Sequence, residues 1–91
     1  MSEVSIKLFA NFRELIGEKS LSLNGSTISE IVDNLSAINP DFKSAVQDES
    51  GRLKGYVTIL VNGKNIKMLE GMDTALSSGD EVAIFPPVSG G

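Results

Sequence analysis

From Val4 to Phe9 the chain alternates, with Val4, Ile6 and Leu8 set against Ser5, Lys7 and Phe9. A period of two marks a strand with one buried face, because successive side chains point to opposite sides. The same alternation returns in "KSLSLN", where Leu21 and Leu23 share a face. Between them, "NFRELIG" has the makings of one helical turn: Asn11 can cap it, Glu14 follows three residues later, and Gly17 can end it. The period then lengthens. Ile28, Ile31, Val32, Leu35 and Ile38 fall on one helical stripe, preceded by a Thr27/Glu30 capping box and followed by Pro40. These signals predict a helix over 28–38.

The pattern weakens in "DFKSAVQDESGRLKG", where Phe42, Ala45 and Val46 suit a short second helix and "QDESGR" suits an exposed loop. It sharpens again in "YVTILVNGKNIK". Asn62-Gly63 between apolar runs signals a hairpin, since both residues tolerate positive φ. A turn at Ser78–Asp80 leads into a last strand, with Val82 and Ile84 on one face and Ala83 and Phe85 on the other. The order predicts a two-layer α+β domain, a four- to five-stranded sheet on one main helix. Burying Val4, Ile6, Leu8, Leu21, Leu23, Val57, Ile59, Val61, Val82 and Ile84 against that helix stabilises the fold by about 1.5–3 kcal/mol each. Register then sends Phe9, Leu60 and Phe85 to the opposite, open face, a candidate partner-docking surface if the three are adjacent.

Composition narrows the function. The 91 residues hold no cysteine and no histidine, so the commonest nucleophile, general base and transition-metal ligands are missing. No catalytic residue, cofactor or metal is expected. A net charge of −4 argues against non-specific nucleic-acid binding. No basic stretch precedes a long apolar run at the N-terminus, and no run approaches a bilayer span, so neither export nor a membrane is expected and a cytoplasmic location is. The acids of "QDE" and "GDE" sit in turn-like sequence, where solvated carboxylates are routine. Lys7, Lys19, Lys43, Lys54, Lys64 and Lys67 read as solubility charges.

"KLFANFRELIG", "STISEIVDNL", "VTILVNG" and above all "GDEVAIFPPVSGG", in that order, resemble the ubiquitin-like β-grasp sulfur carriers and modifiers. Molybdopterin synthase small subunits and small archaeal modifier proteins are the groups most similar. The resemblance spans nearly the whole chain. It implies a mixed sheet whose first and last strands run parallel, with Phe9 beside Phe85. Residues 1–85 would be the domain and 86–91 a flexible tail ending in Gly-Gly. It also implies a docking partner, an E1-like adenylating enzyme, received on Phe9, Leu60 and Phe85.

The tail has the composition such a task needs. Pro86 and Pro87 favour an extended path, and the reach to Gly91 is at most roughly 20 Å. Val88 and Ser89 offer one apolar and one hydrogen-bonding contact, while Gly90 and Gly91 pass a narrow channel and leave the acyl carbon unhindered. The tail from Pro86 to Gly91 is therefore expected to enter a partner's active site. The resemblance makes Gly91 the site of adenylation, then of thiocarboxylate or isopeptide formation. A frayed end also ends this way, but two prolines after a matching fold pattern weigh against it. Three readings follow: a sulfur carrier for a large molybdopterin synthase subunit, a modifier joined to lysines of target proteins, and a non-covalent interaction module.

Overall fold

A computed structural model describes residues 2–86 of the chain. Its elements are β1 (Glu3–Leu8), α1 (Ala10–Ile16), β2 (Ser20–Asn24), α2 (Ile28–Ile38), α3 (Asp41–Val46), β3 (Thr58–Val61), β4 (Lys64–Asn65) and β5 (Glu81–Phe85). The five strands form one sheet in the order β2-β1-β5-β3-β4. β1 and β5 run parallel at its centre, and the other neighbours are antiparallel. This is the mixed sheet on one main helix that the sequence predicts.

α2 spans the predicted residues. The hydroxyl of Thr27 accepts the Glu30 amide at 3.2 Å, and the Glu30 carboxylate reaches back to the amide of Ser26 at 2.7 Å. The box thus closes one residue further out than in the standard motif. Ile28, Ile31, Val32 and Leu35 are fully buried. Ile38 departs from the predicted stripe: it is 50% exposed at the helix end. There the chain turns away at Asn39, whose amide donates to the Leu35 carbonyl at 3.1 Å and whose side chain donates to the Leu15 carbonyl at 2.9 Å. That second bond ties the end of α2 to α1.

Asn11 does not cap α1. The helix begins two residues earlier than such a cap would set, with extended Phe9 at its N-cap and no side-chain cap bond. Gly17 ends it in the left-handed conformation, as expected. The remaining core comes from short elements: Phe12 and Ile16 of α1, Phe42 and Val46 of α3, and Ile66 and Leu76 from the segment joining β4 to β5. Phe12 and Phe42 meet with ring centroids 5.3 Å apart. Leu21 and Leu23 share the core face but are only partly buried, because β2 is an edge strand.

The β3–β4 hairpin turns at Asn62 and Gly63, both with positive φ (50° and 85°), and the return strand lasts two residues before a 3-10 turn carries Ile66 into the core. Gly25 has a steric reason. A Cβ there would lie 2.7 Å from Ile31 Cδ1, so any larger residue in the loop ahead of α2 has to displace the end of that buried side chain.

Candidate functional site

Register decides what the uncovered face of the sheet displays. Ile6 pairs with Val82, and Ile59 pairs with Ile84, all directed at the helices. Lys7, Ala83 and Leu60 therefore lie in one row across the open face, and Phe85 stands beside Thr58 in the next. At the other end, Ser5 aligns with Ser22 and Glu81. Lys7 and Glu81 pair across the strands at 3.1 Å, with both side chains about half exposed. Polar groups thus occupy one end of the face and apolar groups the other.

Phe9 reaches the apolar end because the backbone breaks just behind it. Phe9 itself is extended, whereas Ala10 takes φ of 51°, a left-handed value uncommon for a residue with a Cβ. The amide of Phe12 then bonds the Phe9 carbonyl at 3.1 Å. This abrupt start sends Phe12 into the core while Phe9 stays on the open face. Its ring stacks on Phe85 with centroids 4.4 Å apart and planes 6° from parallel. Two stacked rings shield part of each other and present their remaining surface as one apolar block. Leu60 lies diagonally across from Phe85, within reach of the same block. The structure therefore stacks two of the three residues picked from register and places Leu60 on the same face, one strand over. None of them is fully exposed.

Pro86 follows Phe85 directly and lacks the N–H that would continue the ladder, so the chain leaves the sheet beside the aromatic pair. Pro87, Val88, Ser89, Gly90 and Gly91 lie outside the described residues.

The start of β5 is held by a polar clamp absent from the sequence-based expectations. The Asp80 carboxylate accepts the Ser77 amide at 2.8 Å and the Asn62 side-chain amide at 3.0 Å. The Asn62 side-chain oxygen in turn accepts the Glu81 amide at 3.0 Å, and the Asn62 backbone amide donates to the Glu81 carbonyl at 2.8 Å. The Ser77 N–H, and after it Asn62, hold the Asp80 carboxyl below the usual aspartate range. The two turn signals, Asn-Gly and Gly-Asp, were visible in the sequence, but their contact across the hairpin was not. Among the described residues, no group of three acids, cysteines or histidines is placed to hold a metal. Nor, among the described residues, is any helix long and apolar enough to cross a membrane.

Comparison with known proteins gives the geometry a context. Residues 6–91 match the model of the ThiS family. The chain is 36% identical over 91 residues to small archaeal modifier protein 3 of Haloferax volcanii, covering 98% of this chain and 99% of that one. It is 35% identical over 95 residues to the molybdopterin synthase sulfur carrier subunit of Dictyostelium discoideum, covering 99% and 98%. Among solved structures it resembles the solution structure of small archaeal modifier protein 1 from Methanosarcina acetivorans, with a TM-score of 0.86 and 42% identity over 100% of this chain and 98% of that one.

Proposed function

Since the chain belongs to the ThiS family, whose ubiquitin-like β-grasp fold it shares, we propose that it is a carrier and modifier activated at the carboxylate of Gly91. An E1-like enzyme would supply the chemistry. The Gly91 carboxylate attacks the α-phosphate of ATP, forming an acyl adenylate and releasing pyrophosphate. A sulfur nucleophile then displaces AMP, leaving a thiocarboxylate for sulfur donation, as in molybdopterin synthesis. Alternatively, a lysine amine displaces AMP and forms an isopeptide bond to a target protein.

The observation carrying this reading is the Phe9–Phe85 stack, uncovered and one residue ahead of Pro86. A partner gripping that block is positioned to receive the tail, Pro86 through Gly91, in its own active site. The names of the relatives support both outlets, modification and sulfur transfer. The runner-up is a dedicated small subunit of molybdopterin synthase, acting as sulfur carrier only. A non-covalent β-grasp module comes third.

Intact mass of protein recovered from its own host tests the first step. A fraction with one terminal oxygen replaced by sulfur is expected. A bare carboxylate even after incubation with the adenylating enzyme, ATP and a sulfur source would sink the carrier reading. Gly91-dependent, thiol-resistant high-mass bands in lysate would separate the modifier from the dedicated subunit.

A further inference from the structure

Beside the aromatic pair the surface sinks into a shallow pocket of about 200 Å³, lined by Lys7, Leu8, Phe9, Arg13, Lys19 and Ser20. Three elements build it: the end of β1, the body of α1 and the approach to β2. The Leu8 amide bonds the Lys19 carbonyl at 2.9 Å, fixing Lys19 beside the end of β1. The lining holds three cations and no carboxylate, in a chain of net charge −4 with eight basic residues. Lys7 is balanced by Glu81. Among the described residues neither Arg13 nor Lys19 takes part in an ion pair. Glu14 and Glu18, their neighbours in sequence, are not part of the lining. Like charges gathered at one spot repel, so the grouping does nothing for the fold by itself. An anion brought from outside would relieve that repulsion.

We infer that this pocket receives a carboxylate side chain of the protein that docks on the Phe9–Phe85 block. The partner surface would then carry an apolar anchor and an acidic residue side by side. The inference rests on the docking reading above, because pocket and block share Phe9 and one partner would cover both. A guanidinium and an ammonium around one carboxylate form charge-assisted hydrogen bonds with directional geometry. They fix which way round the carrier sits, and so the direction in which residue 86 feeds the tail. They also give a net acidic protein a local field that steers it onto an acidic partner surface.

The test is stopped-flow association with the E1-like adenylating enzyme of the same organism, across a range of NaCl concentrations. The variants are Arg13→Glu/Lys19→Glu and the milder Arg13→Gln/Lys19→Gln; both sites are exposed, and Lys7 is left in place to keep its partner Glu81. Association of the double Glu variant is expected to slow by roughly ten- to a hundredfold at low salt. The Gln variant should fall between, and the gap should close near roughly 0.5 M salt, where charges are screened within a few ångströms. Wild-type association by both variants at every salt concentration, with Phe85→Asp still blocking it, overturns this inference and leaves the docking reading standing. If the wild-type protein neither binds nor is adenylated, both fall together. If millimolar phosphate shifts the Arg13 and Lys19 amide resonances while both variants associate normally, the pocket is a small-anion site and the inference is wrong.

Discussion

On one side of the sheet Val4, Ile6, Leu8, Ile59, Val61, Val82 and Ile84 lie against the helices, dry and mutually packed. On the other, the same strands present Ser5, Lys7, Thr58, Glu81 and Ala83, with apolar bulk gathered at Phe9, Leu60 and Phe85. The covered side spreads its stabilisation over many side chains. The open side concentrates its apolar surface at the end where Pro86 begins. A residue on the first side should affect folding far more than recognition, and a residue on the second should do the reverse.

Leu35→Ala should break the covered side most visibly. The residue is fully buried near the C-terminal end of α2, and truncation leaves a cavity worth about 2–5 kcal/mol of stability. Urea unfolding measures this, and adenylation of the folded fraction should stay at the wild-type rate. An adenylation defect beyond the unfolded fraction would mean that the two faces are not separable.

Phe85→Asp is the reciprocal case. It removes one ring of the stack and puts a charge in the apolar block, so recognition should lose about 2–4 kcal/mol, a fall of roughly 30- to 1,000-fold in kcat/KM for adenylation. Stability should change by no more than about 1.5 kcal/mol, the worth of an aromatic pair. Unfolding of the domain by this substitution would place Phe85 with the core instead.

Thr27→Ala tests the covered side through a helix end rather than a cavity. Loss of the bond from the Glu30 amide should cost about 1 kcal/mol in denaturant unfolding. No change in association with the adenylating enzyme is expected, since Thr27 leads into α2 on the helix side of the sheet. A slower association would tie α2 to docking.

The two sides also differ in how far they could be read in advance. α2, the Asn62-Gly63 hairpin and the alternation of β1 and β5 were legible, because several turns or several alternations repeat one period. So was the membership of Phe9, Leu60 and Phe85 on one face, since a period of two leaves no other choice once the core face is known. Phe12, Ile16, Ile66 and Leu76 were not recognised as core. They sit in one-turn helices or irregular segments, where no period has room to show. The left-handed Ala10 that separates Phe9 from Phe12 has no signature in residue type, and it displaced the cap expected at Asn11. Lys7 and Lys19 looked like scattered solubility charges and Arg13 drew no reading at all, because their meeting depends on three different elements.

The clamp at Asp80 belongs to neither face but sets where β5 starts, and its effect should be the smallest. Its carboxyl is held below the usual aspartate range by the Ser77 amide and Asn62, so the folded state favours the ionised form. A depressed folded value means the stabilisation is fully present above the unfolded value, about 4, and is lost as pH falls through the lower folded value. Asp80→Asn should therefore lower the Tm at pH 7 by about 2–4 °C, a modest amount for a group so open to solvent. The difference from wild type should shrink as the pH is taken below roughly 4. Adenylation at neutral pH and moderate temperature should hold, because Ile59 and Ile84 still pair and keep Phe85 in register beside Phe9. A pH-independent Tm difference would mean that Asp80 acts through shape rather than charge. Loss of adenylation with the fold intact would show that the open face depends on the start of β5, so that recognition begins at the turn rather than at the aromatic pair.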